Sequence, residues 1–145
     1  MAEEKRSYQP REKKLLYEWV NLNYPNDPRW TRVRLGPIPG SPADLVYESL
    51  RRWADMVLIH NNTVFIIEAK MRIDPGAAAQ LEVYARVFKD TPEFSVYKDL
   101  PVKLIYLTTV SDQTVANLCK EKGIELVIFR PSWVDEYWRE KTTKP

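Results

Sequence analysis

The chain is 145 residues long and 44% hydrophobic, enough for one ordinary domain with its own core and too little for two comfortable ones. It has no apolar run of membrane-spanning length and its opening residues lack the apolar stretch of a secretory signal, so it reads as soluble and cytoplasmic; the lone Cys119 excludes an internal disulfide or a cysteine zinc site. Net charge is only +2, but the cations cluster at Lys5, Arg6, Arg11, Lys13 and Lys14, at Arg29, Arg32 and Arg34, and at Arg51 and Arg52, patches that suit a solvated surface or a polyanionic partner.

In chain order, Pro10 suits a first helical position. Leu15, Leu16, Trp19, Val20 and Leu22 then recur at helical spacing until the Asn-Tyr-Pro-Asn-Asp-Pro breaker, which predicts a helix over about 10–23. Residues 30–35 alternate, with Thr31, Val33 and Leu35 on one face and Arg32 and Arg34 on the other, and read as a strand. A proline-rich loop follows, and residues 43–52 fit either a short helix or an irregular approach to the next strand. Residues 54–60 and 63–70 are apolar strands joined by Asn61-Asn62, whose tolerance of positive φ marks a two-residue hairpin turn.

Asp74 as cap, Pro75 as first residue and an alanine-rich run predict a helix to about residue 90. A buried strand over 102–109 leads to a helix with a Ser111 cap and a Gly123 stop, then a strand over 124–129 and a short aromatic helix over about 132–141. Cys119 falls in the helical pattern and reads as a small packed residue. The order helix, three strands, helix, strand, helix, strand, helix specifies an α/β domain with a mixed central sheet flanked by helices and a core over about 10–130.

The hairpin carries acids in the most apolar part of the chain. With the turn at 61 and 62, His60 faces Thr63, Leu58 faces Phe65 and Asp55 faces Glu68, while Glu68 and Lys70 share a face. Like charges opposite one another in a strand pair are unfavourable unless a cation sits between them. A divalent metal is the simplest such cation, because Mg²⁺ is held by one or two carboxylates and takes its other ligands from water and phosphate. The competing reading is a solvated surface ion pair with Lys70.

The spacing of Asp55 from Glu68-Ala69-Lys70, in elements of this order, resembles the core motif of the PD-(D/E)XK nuclease superfamily, whose restriction-endonuclease-like core runs helix, three strands, helix, strand. Ala54 stands where the motif has proline, a position that varies within the superfamily. The resemblance implies that Asp55 and Glu68 bind Mg²⁺ or Mn²⁺ with the backbone carbonyl of Ala69, and that Lys70 assists the attacking water. It also implies an acid on the first helix reaching toward the metal, for which Glu12 is the candidate and Glu18 the reserve; a glutamate there favours the helix dipole in any case. Gln80-x-x-x-Tyr84 resembles the helix of exonuclease-type and recombination-type members in which the glutamine orders the site, while Tyr84 reads as core.

Arg51, Arg52, Arg32 and Arg34 are placed to hold phosphates or to solubilise the surface. Trp133, Val134, Tyr137 and Trp138 form apolar pairs that pack on the core or, if exposed, form a homodimer interface. The expectation is a single metal-dependent DNA nuclease domain over residues 1–145, structure-specific like a junction resolvase or exonuclease-like. The alternatives are a non-catalytic nucleic-acid-binding protein on the same scaffold and an RNA endonuclease.

Overall fold

Helix α1 spans Pro10–Asn23, as the proline and the following breaker predict, and buries Leu15, Leu16, Trp19 and Val20. Leu22, expected on that stripe, is instead exposed. The helix ends one residue later, and Tyr24 takes the place against the core, edge-on to Trp19 and Phe65. The computed structural model describes residues 10–38 and 52–143. Lys5, Arg6 and Arg51 lie outside the described residues, and of the ambiguous segment 43–52 only Arg52 lies within them, as the first residue of a strand.

Strands β1 (Arg29–Leu35), β2 (Arg52–His60) and β3 (Thr63–Lys70) are joined antiparallel, and β4 (Val102–Thr108) and β5 (Ile124–Ile128) continue the sheet parallel to β3, in the order β1-β2-β3-β4-β5. The Asn61-Asn62 turn has both residues at positive φ, 50° and 57°, as the hairpin reading requires. Central β3 is buried on both faces along nearly its whole length, the expected pattern for a strand covered by helices on either side.

Helix α2 (Pro75–Phe88) is capped by Asp74, whose carboxylate accepts the Gly76 N–H. A 3-10 turn over Pro92–Tyr97, not foreseen from the sequence, leads to β4. Helix α3 (Gln113–Glu121) is capped by Asp112, not Ser111: the aspartate reaches the Val115 N–H, and Gly123 ends the segment at φ 70°. Helix α4 (Ser132–Thr143) closes the described chain.

The two core clusters assign the layers. On one face α2 and α3 pack Ala78, Leu81, Tyr84, Phe88, Val115 and Cys119 over Val57, Val64 and Ile66. On the other, α1 and α4 pack Leu15, Leu16, Val20, Val134 and Tyr137 over Met56, Phe65 and Ile67. The result is the expected α/β architecture, a mixed sheet between helices. Truncating a fully buried residue such as Leu16 or Ile66 to alanine costs about 2–5 kcal/mol.

Strand β1 departs from simple alternation. Trp30 and Val33, three residues apart, both pack on the α2/α3 cluster, and so do Ala54 and Val57 of β2. Between each pair the side-chain parity slips by one. Arg32 supplies the slip with a left-handed φ of 48°, which leaves Thr31 exposed rather than sharing a face with Val33 and Leu35. For an arginine that conformation costs roughly 1–2 kcal/mol.

Candidate active site

The β2–β3 ladder runs from His60↔Thr63 to Met56↔Ile67 in the register the turn predicts, and stops there. At the next step the expected face-to-face pair of Asp55 and Glu68 gives way to a side-chain-to-backbone bond. The Asp55 carboxylate accepts the Ala69 N–H at 2.9 Å. The parity slip beside Arg32 is the physical reason, since it frees Asp55 from the regular pairing. The two acids remain close enough that the charge of Asp55 raises the pKa of Glu68.

Three carboxyl groups share this end of the sheet. Glu68 is only 5% exposed, and burial first and Asp55 second hold its pKa well above the ordinary 4.5. Asp55 is raised by burial, opposed by the Ala69 N–H, Lys70 and Arg32. Glu12 projects from the buried face of α1 and is raised chiefly by burial; it accepts the Met71 N–H at 3.0 Å and feels Lys70, Asp55 and Asp74. The charge of Lys70 favours ionisation of all three.

One oxygen, Glu68 Oε1, is buried with no hydrogen-bond donor. An unsatisfied buried acceptor costs roughly 1–3 kcal/mol, and more when charged. Among the described residues no three His, Cys, Asp or Glu side chains form a ready-made cage. The donors here are hard oxygens: the Glu68 and Asp55 carboxylates and the Ala69 carbonyl. That set suits Mg²⁺ or Mn²⁺, which take few protein ligands, and the orphaned oxygen is where a cation would compensate the buried charge.

The other candidates fall in three places. Gln80 is exposed on α2, one turn before Tyr84, which is buried as expected. Tyr84 is also next to the acids: its hydroxyl donates to the Trp53 carbonyl at 2.6 Å, and burial, then Glu68 and Asp55, raise its pKa. Arg32 and Arg34 of β1 both lie over the Trp53 ring, and Arg52 is exposed at the start of β2. Glu18 belongs elsewhere, since it accepts the Trp133 indole N–H at 2.9 Å and ties α1 to α4.

Sequence reasoning missed how the exit from β3 is fixed. The Thr109 hydroxyl donates to the Met71 carbonyl at 2.7 Å and itself accepts the Trp138 indole N–H at 3.1 Å. Arg130 donates to the Thr109 carbonyl, and Arg72 lies over the Trp138 ring. With Glu12 on the Met71 N–H, both backbone groups of the residue after Lys70 are held by side chains of other elements. The signal was the pair Thr108-Thr109, two buried hydroxyls ending an apolar strand. Val134 and Tyr137 of α4 are buried in this chain's own core, which agrees with the packing reading of the aromatic helix.

No family model matches the chain, and no curated protein matches it. Among solved structures, a crystal structure of a repair endonuclease from Pyrococcus abyssi is similar over 86% of this chain and 49% of its own, with a TM-score of 0.53 and 15% identity. A structure described as an EndoMS–dsDNA2 complex covers 86% of this chain and 46% of its own, at TM-score 0.49 and 16% identity. The chain thus spans about half the length of the structures it resembles. At such identity the likeness to the first establishes the shared fold. No helix among the described residues is long and apolar enough to cross a membrane.

Proposed function

We propose that this chain is a metal-dependent DNA nuclease of PD-(D/E)XK type, in which Asp55, Glu68 and the Ala69 carbonyl hold Mg²⁺ or Mn²⁺. The observation that carries the reading is Glu68 Oε1, a buried acceptor without a donor beside the half-buried carboxylate of Asp55. The fold shared with a repair endonuclease supports it.

A bound divalent cation neutralises phosphate charge and acidifies water. The chain's own residues do the rest. Asp55 is pinned by the Ala69 N–H, so its free oxygen has a defined direction. Lys70, in the field of the acids, orients the attacking water or balances the charge that develops on the phosphate. Glu12 and Thr109 hold Met71 and so fix the strand end that presents Lys70. Gln80 lies one helical turn from Tyr84 and orders water at the open side. Arg52, Arg32 and Arg34, with Arg51, bind phosphates without regard to sequence. A homodimer would use a surface other than the aromatic stripe of α4, which the core occupies.

The test is a cleavage panel of linear, nicked, flapped, single-stranded and four-way-junction DNA, with RNA, in Mg²⁺ or Mn²⁺ and in chelator. Cleavage of at least one DNA that needs the metal supports the reading, and cleavage undiminished by chelator overturns it. Cleavage of RNA alone would reassign the substrate, and binding without cleavage would make the chain a non-catalytic relative.

A further inference from the structure

Beside the acids stands an aromatic residue that the proposed hydrolysis does not use. Trp53 lies two residues before Asp55 on β2 and is 36% exposed. The guanidinium carbons of Arg32 and Arg34 lie 5.2 and 5.4 Å from its ring centroid. Its backbone is anchored from the core side, where the Tyr84 hydroxyl takes its carbonyl. Arg32 reaches both features of this surface: it contacts the indole, and its charge favours ionisation of Asp55. The left-handed backbone at Arg32 occurs at this point of the strand, the kind of outlier that a functional surface retains.

A phosphate bound here would use the two guanidinium groups and gain nothing from the indole. A nucleobase uses both, because any base can stack on an aromatic ring while arginines take the flanking phosphates. In an intact duplex each base has its faces covered by its neighbours, so only an unpaired or extruded nucleotide can present one. We propose that Trp53, with Arg32 and Arg34, is a stacking platform for an unpaired nucleobase next to the phosphate that is cut. The substrate is then DNA with an unpaired nucleotide at the cleavage point, not continuous duplex. This rests on the nuclease reading and narrows it.

The experiment reads binding in chelator, where cleavage does not interfere, by fluorescence anisotropy of three labelled ligands. They are a short oligothymidylate, an abasic oligomer of equal length that keeps every phosphate, and a duplex. Trp53→Ala is expected to weaken oligothymidylate binding roughly tenfold, the usual scale for losing one stacked base. Trp53→Phe retains most of that affinity, and neither variant changes binding of the abasic oligomer or the duplex. Equal losses on all three ligands, or none on any, overturn the platform while the nuclease reading stands. Wild type that binds none of the three overturns both. Should Trp53→Ala not fold, wild type decides alone: a preference for oligothymidylate over the abasic oligomer below about threefold overturns the platform.

Discussion

The two ends of the β2–β3 hairpin are built from the same kinds of strand and treat polar groups in opposite ways. At the turn end the side chains of His60, Asn61 and Thr63 each find a partner within the chain. His60 Nδ1 pairs with Asp27 at 2.8 Å, Asn61 meets the other ring nitrogen, and the Thr63 hydroxyl donates to the Asn61 carbonyl. Arg29 alongside holds Asn21 and the Tyr24 carbonyl. At the open end three carboxyl groups cluster, those of Glu12 and Glu68 buried and that of Asp55 half-buried, all with raised pKa values, and one of the Glu68 oxygens has no donor. The turn end minimises the free energy of the folded chain. The open end leaves a cost in place, which is what a site reserved for a ligand looks like.

The comparison breaks first, and by the largest effect, in activity. Glu68→Gln and Lys70→Ala should each lower metal-dependent cleavage by on the order of 10²–10⁴-fold while circular dichroism shows an intact fold. Cleavage within a few-fold of wild type would make the open end ordinary surface.

Stability sharpens it next. Glu68 has a raised native pKa, so in chelator the sign is fixed. Below the ordinary 4.5 both states hold the proton; as pH rises from there through the native value, the unfolded chain releases it first and wild type loses stability. Glu68→Gln has no such charge. Its melting temperature should therefore exceed that of wild type by an amount that grows with pH across this window and then levels, reaching roughly 3–8 °C. A gap independent of pH would mean that Glu68 ionises without cost.

A smaller effect of the same sign is expected from Asp55→Asn. The amide oxygen can still accept the Ala69 N–H, while one of two neighbouring charges is gone. The metal-free melting temperature should rise by roughly 1–4 °C, and a fall would show Asp55 to be a plain ion-pair partner of Lys70. The smallest effect belongs to the turn end. His60→Ala removes a partly exposed pair with Asp27, a loss of about 0–1 kcal/mol, and should leave the cleavage rate unchanged.

Much of this contrast was legible in the sequence, for local reasons. Pro10 and Asn61-Asn62 carry their backbone preferences with them, so α1 and the hairpin turn emerge where they read, and the turn alone sets which β2 residue faces which β3 residue. What was not legible depends on contacts distant in the chain. The left-handed Arg32 shifts parity in β1 and sends the Asp55 carboxylate to Ala69. Glu12 spends an oxygen on Met71, and Thr109, just past β4, secures the same residue while Trp138 of α4 holds Thr109. No periodicity encodes these. Glu18 shows the converse, a plausible acid on the apolar stripe of α1 that a tryptophan 115 positions away claims.

The central claim is that the open end of the hairpin is kept for a cation, and calorimetric titration of Mn²⁺ into the metal-free protein near neutral pH tests it most directly. Saturable binding is expected in wild type and in His60→Ala, weakened by roughly tenfold or more in Glu68→Gln and in Asp55→Asn. No binding to wild type, or equal affinity in all four proteins, would contradict it.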